Sequence, residues 1–232
     1  MALETTLALT LAQRRTVKAV EAELARLARY DDESLVHEAW IRQRYGGGLA
    51  ASYAPARAEA VRTAWHEAGH AIAALAVGAR FSSASIRAGS GSAGRVHAIR
   101  GGGELSFVID AAGQIAERLR DWSLPGDAEA AAFLRGWRAD GGDARRFRAA
   151  SSARFAGDEA AAWQYSVQVL TPLRPRIARL ARGLLVHPRY LPYAVAAAVA
   201  GLPTMSEGRG HPSGSQGDHQ GQPQRWRPAR PA

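Results

Sequence analysis

The run from Thr63 to Leu75, Thr-Ala-Trp-His-Glu-Ala-Gly-His-Ala-Ile-Ala-Ala-Leu, constrains this chain more than any other segment. After Thr63 it is apolar except for His66, Glu67 and His70, mostly small, and no proline interrupts it. Such a run suits a helix buried on most sides. Residues four apart share a helix face. His66 and His70 can therefore hold one Zn²⁺ through their imidazoles, at about 2.0–2.1 Å each. Glu67 lies one step around the helix, where it cannot easily join the same ligand pair but can reach a water on the metal. Two His that bind and a Glu that takes the water's proton form the H-E-x-x-H arrangement of a metal-assisted hydrolase. Gly69 is expected to leave open space beside the second ligand. A nearby near-match, His37-Glu38-Ala39-Trp40-Ile41, lacks the second His and reads as an exposed helix. The competing reading of His66 and His70 is a hydrogen-bonded core pair without metal.

The cysteine count narrows the ligand set. With no Cys among 232 residues, thiolate sites and disulfides are excluded, and His and carboxylates remain. Apolar residues at 47% suffice for a core of one ordinary domain with extensions. The net charge is +9, and of 30 basic residues only Lys18 is lysine. The arginines are spread along the chain without aromatic interleaving or a nucleic-acid motif. They read as solvated helix faces, and nucleic acid is not the expected partner. No segment reaches the ~18 apolar residues of a membrane span. The apolar stretch 191–202 is short and broken by Pro192, and Gln13-Arg14-Arg15 interrupts any signal-like start. A cytoplasmic protein without a membrane span is expected.

Three regions follow. Residues 1–55 form a helical N-terminal extension, with Val17, Val20, Leu24 and Leu27 at helical spacing. Residues 56–203 form the main domain. It starts with the histidine helix, which ends near Gly78. Two short strands follow over about 81–87 and 94–100, separated by Gly89-Ser90-Gly91-Ser92, with His97 an exposed strand residue. An extended substrate could pair with such an edge strand. Helices are expected over about 105–122, 128–137, from Asp143 at or near an N-cap, 158–170 and 175–185. Residues 204–232, rich in Gly, Pro, Ser and Gln, read as a disordered basic tail, its His211 and His219 solvated. The fold class is α+β, mostly helical, with a small β element.

A catalytic zinc commonly takes three protein ligands. No third His follows within residues 71–77, Glu104 and Glu117 lack a supporting motif, and an Asp from a later helix is the other route. At this point the chain resembles a known family. Trp65-His66-Glu67-Ala68-Gly69-His70-Ala71-Ile72 resembles the zinc helix of the FtsH-type peptidases, H-E-A-G-H-A. Ala111-Ala112-Gly113-Gln114-Ile115-Ala116-Glu117-Arg118-Leu119 is similar to their G-G-R-x-A-E-E helix. That family places its third ligand on an Asp that begins a helix after a Gly/Ser-rich stretch. Gly141-Gly142-Asp143-Ala144-Arg145-Arg146 fits best, with Asp140 and Asp127 as rivals, because the segment after Gly113 looks longer than in the family.

The resemblance spans about residues 57–202. It implies a zincin-like, free-standing FtsH-like peptidase domain: Zn²⁺ on His66, His70 and Asp143, Glu67 as general base, and peptides or unfolded protein as substrate. The family's membrane helices and ATPase module are not expected within these 232 residues. No Gly-Lys-Ser/Thr phosphate loop occurs, since Lys18 follows Val17. Hydrolysis is therefore expected to be ATP-independent, with a possible oligomer or a separate ATPase or regulatory partner. The alternative reading is an inactive, FtsH-like interaction or regulatory module that keeps the zinc. An intact Glu67 speaks against it, because holding the metal does not require a general base.

Overall fold

A computed structural model of the chain describes residues 7–29, 31–32, 54–86, 94–137, 142–187, 190–202 and 204–205. In chain order the elements begin with β1 (Leu7–Ala8) and α1 (Leu11–Arg26). They continue with α2 (Ala54–Ala76), β2 (Ser83–Ser85), β3 (Arg95–His97) and α3 (Ser106–Asp121). Next come α4 (Asp127–Gly136), α5 (Gly142–Phe155), α6 (Glu159–Leu170) and α7 (Arg174–Val186). The last are β4 (Leu191–Pro192), α8 (Tyr193–Val199) and β5 (Thr204–Met205). The described chain is mostly helical with a small antiparallel sheet, in the order β3-β2-β4. The expectations placed on residues 33–53, including His37, and on 206–232, including His211 and His219, lie outside the described residues.

The elements form for local reasons. Thr10 and Gln13 make a reciprocal capping box that starts α1: the Thr10 hydroxyl accepts from the Gln13 amide at 3.3 Å, and the Gln13 side chain accepts from the Thr10 amide at 2.9 Å. Asp158 starts α6 by accepting from the Ala161 amide at 2.9 Å. From Ala64 to Leu75, α2 is buried at every position except His66, which is half-buried. α3 lies against it. An added side-chain carbon at Gly69 would run into the Ala112 carbonyl and come within 2.6 Å of Ala116 Cβ. Gly69 is thus where two backbones touch. The expected open space beside it is filled by α3.

Two parts of the fold differ from the pattern the sequence suggested. The strands are shorter, with only the bridge Arg80–Arg100 extending the β2–β3 pair. The third strand, β4, comes from the apolar stretch near Pro192, and Ser83 and Ala84 pair with it as well as with β3. A two-residue strand carries no alternation to read. Likewise β1 pairs in parallel with β5, joining opposite ends of the described chain. Val20 and Leu27 of the N-terminal segment belong to the same apolar core as Ile72, Ile115 and Leu184.

Arginines hold the helix ends. Terminal carbonyls of a helix lack intrahelical partners, and a guanidinium supplies both donors and the charge that the C-terminal dipole favours. Arg174 donates to the Leu119 carbonyl at 2.8 Å, near the end of α3. Arg179 donates to Val199 at 2.6 Å, at the end of α8, and Arg182 to Leu27 at 3.1 Å, after α1. Arg148 donates to Leu134 and Trp137 at 2.8 and 3.2 Å, at the end of α4. Part of the arginine excess therefore serves the interior, beyond the solvated faces expected. Among the described residues, no helix is long and apolar enough to cross a membrane.

Candidate metal centre

α2 presents His66 and His70 one turn apart, their ring centres 4.7 Å from each other. Each ring has its Nδ1 committed. His66 Nδ1 lies 2.6 Å from Glu117 Oε1, and His70 Nδ1 lies 2.7 Å from the Ile109 carbonyl. Both acceptors are on α3. A carbonyl can only accept, so His70 Nδ1 donates, and its Nε2 is left with a lone pair. The carboxylate does the same for His66. Such partners fix ring orientation and raise ligand basicity. Gly113 makes this possible, because an added Cβ there would sit 2.5 Å from the His66 ring.

The third donor comes from α5. Asp143 Oδ2 lies 3.2 Å from His66 Nε2 and 3.3 Å from His70 Nε2, and the two Nε2 atoms are 3.0 Å apart. Asp143 is the second residue of α5, near the N-cap as expected, where the N-terminal dipole favours a carboxylate. Ala144, Phe147 and Ser151 are the buried residues of that helix. Phe147 packs in an aromatic group with Trp137, which in turn meets Trp163 and Phe133. Four aromatics thus anchor the helix that carries Asp143.

The donor set fits a tetrahedral divalent metal. Ligands at 2.0–2.1 Å in tetrahedral array stand about 3.3 Å apart, and the three edges here are 3.0, 3.2 and 3.3 Å. Two facing lone pairs and a carboxylate repel one another unless a cation lies between them. Without metal, a proton takes that place. Burial disfavours a charged His66, but hydrogen bonds to Asp143 and Glu117 outweigh it and raise the pKa to about 10. Burial disfavours a charged Asp143 as well, but His66 and His70 beside it outweigh that and hold its carboxyl far below the usual range.

Among the described residues, His66, His70 and Asp143 are the group able to hold a metal ion. Of the rivals, Asp127 is the first residue of α4 and Asp140 lies outside the described residues. Glu104 pairs with Arg154 at 3.2 Å on the surface, and Glu117 holds the His66 ring. His97 is exposed on β3, as expected.

Glu67 is buried beside the donors, and burial raises its pKa, opposed by His70 and His66 and by the Val96 amide that donates to it. Gly94 brings the backbone onto it: an added Cβ would lie 2.8 Å from Glu67 Cγ. The group opens on a cleft of about 1310 Å³, lined among others by Arg62, Arg95, Ile99, Ile109 and Gln114. Edge strand β3 forms one wall. Sequence reasoning missed Asp110 and Arg146, which also line the cleft. Arg146 Nε donates to Asp110 Oδ1 at 2.8 Å, and its terminal nitrogen donates to Asp143 Oδ1. No local pattern could have signalled a pair 36 residues apart. Comparison of the chain with protein-family models, with curated proteins and with solved structures finds no match.

Proposed function

We propose that this chain is a zinc-dependent metallopeptidase of FtsH-like, zincin type, acting without ATP on peptides or unfolded protein. One observation carries the reading: three donors at metal-ligand spacing with a buried, unligated carboxylate, Glu67, next to them at the floor of an open cleft. His66, His70 and Asp143 would hold the metal. Zn²⁺ held there supplies a Lewis acid that polarises the scissile carbonyl and lowers the pKa of water towards ~7. Glu67 takes the proton of the attacking water and passes it to the leaving amine. Burial suits Glu67 to that exchange by making its protonated form accessible, while the Val96 amide keeps the carboxylate aimed. The exposed edge of β3 offers an extended peptide a place to pair, and Glu117 and Ile109 keep the two rings in register.

The test combines metal analysis with a quenched-peptide library, with and without chelator. About one zinc per chain and chelator-sensitive cleavage are expected. Glu67→Gln preserves volume and removes the proton acceptor. It should retain zinc and fold, and lose about 10²–10⁴ in rate. Equal cleavage by Glu67→Gln would overturn the mechanism. A fully zinc-loaded wild type that cleaves nothing would replace the enzyme with an interaction module.

A further inference from the structure

Asp110 is nearly buried on α3, immediately after Ile109, and the proposed chemistry assigns it no part. A carboxylate buried there needs a compensating partner, since desolvation disfavours its charge. The partner is Arg146, which reaches across from α5 to donate one nitrogen to Asp110 Oδ1 and another to Asp143 Oδ1. Asp143 therefore has one oxygen tied to a guanidinium and the other, Oδ2, turned towards both histidines.

We propose that Asp110 and Arg146 are a positioning pair that fixes Asp143 as a one-oxygen metal ligand. This inference rests on the metal reading above. The planar fork of arginine suits the task, because two of its nitrogens can hold two carboxylates in fixed directions at once. Tying Oδ1 would leave Oδ2 as the one Asp143 oxygen for a metal. Asp110 keeps Arg146 in place and balances its charge, so the ligand is held without adding net positive charge beside a dication. α3 then orients all three donors: Glu117 for His66, Ile109 for His70, and Asp110 through Arg146 for Asp143.

Charge and positioning predict opposite signs, which makes the inference testable. Removing the Arg146 charge leaves the Asp110 carboxylate uncompensated near the site. Electrostatics alone would then tighten a divalent cation. Loss of positioning loosens it, by about 10–100-fold for an outer partner of a metal ligand. The experiment measures Zn²⁺ dissociation constants by competition with a chromophoric chelator at fixed pH, and visible spectra of the Co²⁺-loaded protein. The variants are Arg146→Met, Arg146→Lys, Asp110→Asn and Asp143→Ala, each checked for wild-type helicity.

Arg146→Met should bind Zn²⁺ about 10–100-fold more weakly and shift the Co²⁺ bands, with partial recovery in Arg146→Lys. Asp110→Asn removes an anion, so charge and positioning both predict weaker Zn²⁺ there; its discriminating readout is the Co²⁺ spectrum, which should shift as in Arg146→Met and keeps the inference testable should Arg146→Met fail to fold. Unchanged or tighter Zn²⁺ binding in Arg146→Met, or an unchanged Co²⁺ spectrum in Arg146→Met or Asp110→Asn, would overturn the positioning pair. Asp143→Ala separates the two levels. If it leaves Zn²⁺ affinity and the Co²⁺ spectrum unchanged, the ligand set itself is wrong. If it abolishes both while Arg146→Met is silent, only this inference fails.

Discussion

The hydrogen that stands for a side chain at Gly113 leaves the space that the His66 ring fills in the candidate metal site. The ring occupies the space where any Cβ would be, at 2.5 Å from its nearest atoms. Gly113→Ala should therefore push the ring off its Glu117 contact. Overpacking of this kind costs about 1–3 kcal/mol, so the variant should fold, with a lowered denaturation midpoint and zinc affinity reduced about 10-fold or more. Equilibrium binding at matched folded fraction would check it, and wild-type affinity would refute it. Protons should compete at the same residue. Metal binding requires neutral His66, and in the metal-free protein its pKa is raised from 6.5 to about 10. At neutral pH a proton must leave as the metal enters. Apparent zinc affinity should thus rise with pH through the neutral range and level off near the folded value. Titration in buffers of different ionisation enthalpy would detect the released proton. A pH-independent affinity would contradict the assignment. His66, Glu67 and His70 were legible in the sequence because helical spacing fixes their relation within two turns. Asp143 was legible only through resemblance, and Asp110 and Arg146 not at all, since their relation depends on where α3 and α5 meet.

At the scale of elements, the longer helices and the strand pair β2–β3 were readable, while β1, β4, β5 and the short helix α8 were not. α3 carries Phe107, Ile115 and Leu119 on a buried face, a periodicity visible in the chain. β4 and β5 span two residues each, too few for any pattern, and they exist because tertiary pairing supplies their partners. The arginines illustrate the same limit. Sequence gives their number, while only packing shows that Arg148, Arg174, Arg179 and Arg182 close helix ends. Arg174 also stacks 4.5 Å over the Trp122 ring, a residue that leaves α3 with positive φ. Arg174→Ala should cost about 1.5–3 kcal/mol, the range for hydrogen bonds from charged donors. Lysine should recover little of it, because a point charge cannot reproduce the fork. Urea denaturation of the metal-loaded protein would show this, and a change below about 0.5 kcal/mol, typical of a surface position, would mean that the cap is incidental.

For the whole molecule, the question is whether the proposed metal would build the fold or be received by it. The donors come from two helices that have independent reasons to be where they are. α2 is buried in the main core, and α5 is anchored by Phe147, Trp137 and Trp163. Without metal, the ion pair of His66 with Asp143 and the Arg146 bridge still hold the site together. Chelation should therefore abolish hydrolysis and leave helicity nearly intact, unlike a small domain whose fold depends on its zinc. It should still lower the melting temperature, because a ligand that binds only the folded state stabilises it by mass action. At free metal of 100 to 1000 times the dissociation constant this amounts to ~2.7–4.1 kcal/mol, or roughly 5–15 °C for a domain of this size. Circular dichroism and thermal melts with and without chelator, followed by zinc add-back, would measure both. Collapse of the helical signal on chelation at 25 °C would show that the metal is part of the core. An unchanged melting temperature, with peptide hydrolysis equally unchanged, would remove the metal from the account altogether.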